Sequence, residues 1–312
     1  MAKRMPKIGG VFLQAESELA AVNMVLGAAA AGKRAMTSSS SPGISLKSEG
    51  LSYIAACDLP ALVVNVQRGG PGLGGIQPSQ SDYFQAVKGG SHGDMRKIVL
   101  APASVQEMAS LTVKGFDLAD QYRMIAMILA DGTMGQMMEP VELPEHKDRK
   151  LPEKPWAACG HENKREHNII NSLYLTPNAL EDLVRARYER YKIVEEKEQR
   201  AEEYRTEDAD VIVVAYGASS RVARSAVNKA REAGKKVGLI RPITLWPFPK
   251  DAIKRAADHA KELLVVEMSM GQMVDDVRLA AECRVPVHFY GRTGGVIPTP
   301  KEILGEIDKL LK

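Results

Sequence analysis

Residues 14–46 read QAESELAAVNMVLGAAAAGKRAMTSSSSPGISL. Leu19–Ala31 is an Ala-rich run without proline, so it is expected to be a helix. Glu16 and Glu18 stand at its opening, on different faces because they are two residues apart. Acidic residues in a first turn suit the helix dipole by a few tenths of a kcal/mol, so a purely local role accounts for them. After Gly32 a short strand leads into Thr37-Ser38-Ser39-Ser40-Ser41-Pro42-Gly43 and a further helix. Hydroxyls and a Pro-Gly turn in that place serve as helix caps or as donors to a ligand.

Outward from this stretch the same rhythm continues. Val11–Gln14, Ala61–Val66, Lys97–Leu100 and Met127–Leu129 read as buried strands, and Val105–Tyr122 as a helix. Strands alternating with helices are the pattern of a doubly wound parallel sheet, an α/β fold. Residues 142–170 are polar and Pro-punctuated and read as a connector. Residues 177–206 are densely charged, with Leu180, Leu183, Val184, Tyr188, Tyr191 and Val194 at helical spacing; one long, exposed helix with a single packing seam is expected. A second α/β block begins near Asp210: VIVVAYG, KVGLIR, LLVVE and VPVHFY as strands, with helices at Ser219–Ala233, Lys250–Ala260, Gly271–Ala281 and Pro300–Leu311. The expected division is 1–141, 142–208 and 209–312, two domains being usual for 312 residues.

A net charge of +3 is too small for a nucleic-acid footprint. No apolar run reaches about 18 residues, so no spanning helix is read, and the N-terminus lacks the apolar core of a signal peptide. Cys57, Cys159 and Cys283 are far apart and form no Cys-x-x-Cys pair, so neither a disulfide framework nor an iron–sulfur cluster is read here, and a reducing cytoplasm is expected.

Arg68 follows a buried strand, at the edge where α/β sheets hold ligands, and arginine grips carboxylates bidentately; a strand-end surface arginine is the plainer reading. Gly70-x-Gly72-x-x-Gly75 satisfies the dinucleotide fingerprint, with Asp94 at a fitting distance, but Pro78 stands where a helix should start, so a loop is expected instead. His92 and Asp94 read as loop residues. Cys159, His161 and His167 fit no standard zinc spacing, so no metal is assigned. The methionines of 134–138 read as packing. Glu267 and Gln272 mark a strand end and a helix start.

Taken together, the Glu-opened Ala-rich helix and the Thr/Ser-rich Pro-Gly turn resemble the pyrimidine-binding domain of thiamine diphosphate enzymes. VVNVQRGGPGLGGIQPSQSDYFQAVKGGSHGD, APASVQEM and ILADG resemble the alpha subunit of 2-oxoacid:ferredoxin oxidoreductases, the branched-chain (3-methyl-2-oxobutanoate, or 2-oxoisovalerate) type first and the 2-oxoglutarate type next. VVAYGASSRVARSAV, LIRPITLWPFP and VVEMSMGQM resemble that subunit's transketolase C-terminal-like domain. The resemblance therefore implies a pyrimidine-binding domain over 1–141, a linker over 142–208 and the transketolase-like domain over 209–312.

It also implies roles. Counting back from Gly27 puts the glutamate that meets N1′ of the aminopyrimidine on Glu18, the implied catalytic residue. Thr37, Ser38, Ser41, Pro42 and Gly43 fall with it on the cofactor side, and Arg68 on the substrate carboxylate. A proton shared between a carboxyl and N1′ lets the ring's own nitrogen deprotonate the thiazolium carbon. The implied reaction is oxidative decarboxylation of a 2-oxoacid to an acyl-CoA and CO₂, with ferredoxin reduced. No Gly-Asp-Gly motif with a distal Asn is present, which fits a split enzyme. A beta-type subunit would supply Mg²⁺, the diphosphate half and an iron–sulfur cluster, with gamma- and delta-type subunits beside it. Coenzyme A and ferredoxin are then co-substrates. Family members start with about forty further residues, a strand and a hydroxyl-bearing turn, so Met1 reads as an internal methionine, and the chain alone is expected to aggregate and be inactive. Two other readings stay open: a transketolase- or E1-beta-like enzyme subunit, and a non-catalytic α/β assembly subunit.

Overall fold

The alternation becomes two sheets in the computed structural model, which describes residues 1–143 and 151–312. In the first half α1 (Glu18–Ala30), β1 (Met36–Ser39), α2 (Pro42–Ala56), β2 (Ala61–Gln67), α3 (Tyr83–Val87), β3 (Ile98–Leu100), α4 (Val105–Tyr122), β4 (Ile125–Asp131) and α5 (Gly132–Gln136) follow one another. The four strands are parallel, in the order β1-β2-β4-β3. Every residue of β4 is buried, as expected of a central parallel strand covered on both faces. Val11–Gln14 is a correction: it forms no strand, and Val11 and Leu13 are 78% and 71% exposed. An apolar run becomes a strand only when a neighbour takes its backbone hydrogen bonds, and among the described residues none does.

The second half contains α6 (Pro177–Lys197), β5 (Ala201–Tyr204), β6 (Val211–Val214), α7 (Gly217–Glu232), β7 (Val237–Pro242), β8 (Thr244–Trp246), α8 (Lys250–Ala257), β9 (Glu262–Glu267), α9 (Met273–Ala281), β10 (Val287–Gly291) and α10 (Pro300–Leu310). Its sheet runs β10-β9-β6-β7-β5, with only β5 antiparallel. The charged helix expected over 177–206 ends at Lys197, because the chain then pairs with β7 as an edge strand. Glu202 and Glu203 of that strand are held by Arg224, Arg241 and Arg255. The seam holds only in the helix's C-terminal half: Tyr191 and Val194 are buried, whereas Leu180 is 42% exposed. Of the connector expected over 142–170, residues 144–150 lie outside the described residues.

One strand crosses over. Thr244–Trp246 leaves the second block and pairs antiparallel with β3 at the far edge of the first sheet. A single core accordingly joins Ile98 and Leu129 to Leu245, Ile253 and Val277.

The segment Ser79–Tyr83 bolts the blocks together. Gln80, fully buried, donates from Nε2 to the Tyr216 carbonyl (2.9 Å), and its Oε1 accepts from Ser219 Oγ (2.7 Å) and the Met268 N–H (2.9 Å). Tyr83 donates to Asp276 at 2.6 Å, and Gln272 accepts from the Phe84 N–H at 2.8 Å. Gly217, at φ +53, sits where the blocks meet: a Cβ there would lie 3.2 Å from Gln80 Nε2. Positive φ and lack of room both select glycine.

Lys97 closes the C-terminal end of α3, donating to the Gln85 and Gly89 carbonyls at 3.2 Å each while only 3% exposed. Burial pushes its amino group down from 10.5 to about 8. The unfolded chain therefore binds the extra proton between those values, and native stability rises with pH across that window. Relative to Lys97→Met, the wild type should gain about 3 kcal/mol between about pH 8 and 10.5, read from urea unfolding at several pH values. A flat difference would mean that the ammonium is not penalised by its surroundings.

Candidate active site

Ser17 caps α1, its Oγ accepting from the Ala20 N–H at 3.1 Å, so Glu18 is the first helical residue. Glu16 is left exposed in the preceding bend. The Glu18 side chain reaches the start of α2. A Cβ on Gly43 would sit 2.9 Å from Glu18 Oε1 and 2.0 Å from Ser39 Oγ. Gly43 therefore has no side chain because carboxylate and hydroxyl crowd its backbone. Within the described residues the half-buried Glu18 carboxylate makes no hydrogen bond or ion pair. It is a free acceptor beside a hydroxyl and a bare backbone, and such a donor-seeking group fits the protonated ring nitrogen of an aminopyrimidine.

The turn between β1 and α2 is strained at Ser41, with φ +30 and ψ −86. Non-glycine residues hold such geometry only where surroundings over-determine it, at about 1–3 kcal/mol. Here Asn65 Oδ1 accepts the Ser41 N–H (3.1 Å), Ser41 Oγ donates to Asp82 Oδ2 (2.6 Å), and the same Oγ accepts the Arg68 N–H (3.0 Å). Asp82 also takes Asn65 Nδ2 at 3.0 Å, and its own N–H goes to Gln67 Oε1 at 3.1 Å. The turn thus touches Glu18 at one end and the backbone of Arg68 at the other. Ser41→Ala should cost roughly 2–4 kcal/mol, since it removes two bonds and leaves the Arg68 N–H without its acceptor; thermal unfolding measures this, and an unchanged midpoint would remove the hydroxyl from the network.

The remaining sequence candidates separate. Thr37 is buried in β1, Ser38 is exposed, and Pro42 is exposed at the first turn of α2. Strand alternation puts Ser39 on the opposite face from Ser38, towards Gly43; the sequence reading passed over Ser39, which period-two counting from Thr37 would have found. Asn65, Asp82 and Lys47 were also missed, the first two because only tertiary structure brings β2 and the 79–83 segment to the turn. Arg68 folds its guanidinium into its own loop, donating to the Leu73 and Gly75 carbonyls.

That glycine loop is followed by coil, and the next helix starts only at Tyr83. The 291–300 loop lies against it: a Cβ on Gly295 would meet Gln77 Cβ at 2.3 Å. His92 and Asp94 are exposed beyond α3, with the His92 ring edge-on to Tyr53. The rings of His161 and His167 stand 3.9 Å apart, Cys159 is exposed, and no group of three metal-binding side chains occurs among the described residues. Met134 packs in the interior, but Met138 is 96% exposed, so the methionine cluster is only partly packing. Glu267 is fully buried and caps α9, accepting the N–H groups of Gln272, Met273 and Val274 and the Ser269 hydroxyl. Burial raises its carboxyl and these donors lower it, with burial prevailing.

A Glu-opened helix, a strained hydroxyl turn and a second α/β block on one core together define a class. Residues 1–210 match the thiamine diphosphate-binding domain of pyruvate flavodoxin/ferredoxin oxidoreductases, and residues 209–303 match core domain II of pyruvate:ferredoxin oxidoreductase. The chain belongs to this family and is an oxidoreductase subunit. It is 50% identical over 306 residues to the ketoisovalerate oxidoreductase subunit VorB of Methanothermobacter thermautotrophicus, covering 98% of this chain and 86% of that one. The 2-oxoglutarate synthase subunit KorA of the same organism is 37% identical over 343 residues, covering 99% and 89%. Among solved structures, 2-oxoglutarate:ferredoxin oxidoreductase from Magnetococcus marinus superposes with a TM-score of 0.86 at 29% identity; this chain is fully covered and spans 59% of that one. A split-gene transketolase shares the fold, with a TM-score of 0.61 at 15% identity. No helix among the described residues is long and apolar enough to cross a membrane.

Proposed function

We propose that this chain is the alpha-type subunit of a cytoplasmic branched-chain 2-oxoacid:ferredoxin oxidoreductase and carries the aminopyrimidine half of a thiamine diphosphate site. The observation that carries the reading is the Glu18 carboxylate, without a hydrogen bond among the described residues, set against Ser39 and side-chain-free Gly43. The cofactor, when bound, supplies the electron sink for decarboxylation. Glu18 holds the proton at N1′ through its Oε, and the Ser41 turn keeps Glu18 and Arg68 at fixed separation. Ser41, Gly43 and the Ser39 hydroxyl form the wall on the cofactor side, while Thr37, buried in β1, and the exposed Ser38 and Pro42 flank it. Arg68 exchanges the Leu73 and Gly75 carbonyls for the substrate carboxylate, a charged and bidentate acceptor that outcompetes neutral ones.

A beta-type subunit brings the diphosphate half, its Mg²⁺ and an iron–sulfur cluster; gamma- and delta-type subunits complete the complex. Coenzyme A takes the acyl group and ferredoxin the electrons. The likeness to 2-oxoglutarate synthase subunits supports 2-oxoglutarate as the second choice of substrate. The test is co-expression with the beta-type subunit, followed by coenzyme A-dependent viologen reduction with 2-oxoisovalerate or 2-oxoglutarate, with and without thiamine diphosphate. Cofactor-dependent reduction with 2-oxoisovalerate in excess of 2-oxoglutarate is expected. A folded, cluster-loaded complex that reduces nothing would support an assembly role instead, and a reversed preference would move the chain to the 2-oxoglutarate type.

A further inference from the structure

Lys47 lies in α2, four residues beyond Gly43, and is only 1% exposed. A lysine so enclosed is uncommon unless it is paired. Its ammonium, with three protons to give, makes one hydrogen bond among the described residues, a long one of 3.4 Å to the Glu18 carbonyl. That carbonyl belongs to the first residue of α1, so the cation is lodged under the turn that presents the Glu18 carboxylate. Van der Waals contact clamps the two helices together there: a Cβ on Gly50, one turn further along α2, would meet the Val22 side chain at 2.4 Å. The ammonium therefore has little freedom to leave. Burial lowers the lysine below its ordinary range, and Glu18 is the single charged group that opposes the shift.

A cation buried this way is a cost to folding unless it serves something. The same ammonium and the same carboxylate are both under-bonded and share one helix start. We infer that Lys47 is a positioning residue for Glu18: its ammonium, set beneath the first turn of α1 and bonded to the Glu18 carbonyl, anchors that turn so that the Glu18 carboxylate stays beside Gly43. This rests on Glu18 being the carboxylate that meets the aminopyrimidine. Lys47 touches neither ring nor substrate, and acts only through Glu18.

The test uses the co-purified complex loaded with thiamine diphosphate, as wild type and as Lys47→Met, Lys47→Arg and Glu18→Gln. Two quantities are read: the affinity for thiamine diphosphate, and the pH midpoint at which the circular-dichroism bands of the bound aminopyrimidine change with protonation. Lys47→Met is expected to fold, because removing an under-bonded buried charge relieves desolvation, and Lys47→Gln stands in if it does not. Without the cation the shared proton should persist to higher pH, moving the midpoint upward, and thiamine diphosphate should bind more weakly as the turn loosens. Lys47→Arg, which keeps the charge, should return it most of the way. A midpoint and affinity unchanged in Lys47→Met (or Lys47→Gln), in a complex where Glu18→Gln abolishes the titration, would leave Lys47 a packing residue and overturn the inference alone. Should Glu18→Gln itself leave the bands and the affinity untouched, the reading of Glu18 falls, and the role of Lys47 falls with it.

Discussion

Glu18→Gln is expected to lower turnover of the assembled complex by about 10²–10⁴-fold, the range for loss of a positioned acid–base group, with only a small change in melting temperature. The amide has the size of the carboxylate, so the close approach of Glu18 to Gly43 and Ser39 is preserved. Among the described residues no hydrogen bond or ion pair of the side chain is lost, because the carboxylate makes none. What remains is the charge at the start of α1, worth a few tenths of a kcal/mol to the helix, and its attraction for the buried Lys47 ammonium. Function and stability should therefore separate cleanly. Steady-state viologen reduction at saturating thiamine diphosphate measures the first and thermal unfolding the second. Near-wild-type turnover would take Glu18 out of the chemistry; a large fall in melting temperature would show that the carboxylate serves the fold.

Gln80→Ala should have the opposite profile, a fold-wide loss. The Gln80 side chain is fully buried between the two blocks and makes three hydrogen bonds, to Tyr216, Ser219 and Met268. Truncation strands the Met268 N–H in the interior, at about 1–3 kcal/mol, takes from the Tyr216 carbonyl one of its two donors (the Ser220 N–H stays), and leaves the Ser219 hydroxyl to find another acceptor. A total of about 2–5 kcal/mol is expected, visible as a large drop in the urea midpoint. The same residue's backbone N–H donates to the Met268 carbonyl at 2.8 Å and its carbonyl accepts the Tyr216 hydroxyl at 3.2 Å. Those contacts survive the substitution, so the blocks should loosen and not come apart. A loss under about 1 kcal/mol would mean that water replaces the amide and that the shared core alone holds the blocks.

What the sequence determined was local and periodic. The Ala-rich run after Glu18, the buried strands at 61–66 and 127–129 and the helix at 105–122 were legible because burial on both sheet faces, or on one helix face, leaves a period in the residues themselves. Gly43 was legible as a turn residue. The need for glycine there, a backbone wedged against Glu18 and Ser39, appeared only when α1 and α2 were packed. Val11–Gln14 shows the limit of the same signal: apolar character can be read from residues, but a ladder partner cannot. Thr244–Trp246 is the mirror case, three residues too few to carry a period, made a strand by the free edge of β3 in the other block. Tertiary structure alone assembled the network around Ser41, since Asn65 and Asp82 arrive from segments 24 and 41 residues away. It also put the Lys47 ammonium under Glu18, 29 residues earlier in the chain. Periodicity records which way a side chain faces. The partner it meets across a core is fixed by packing, and packing is a property of the whole chain.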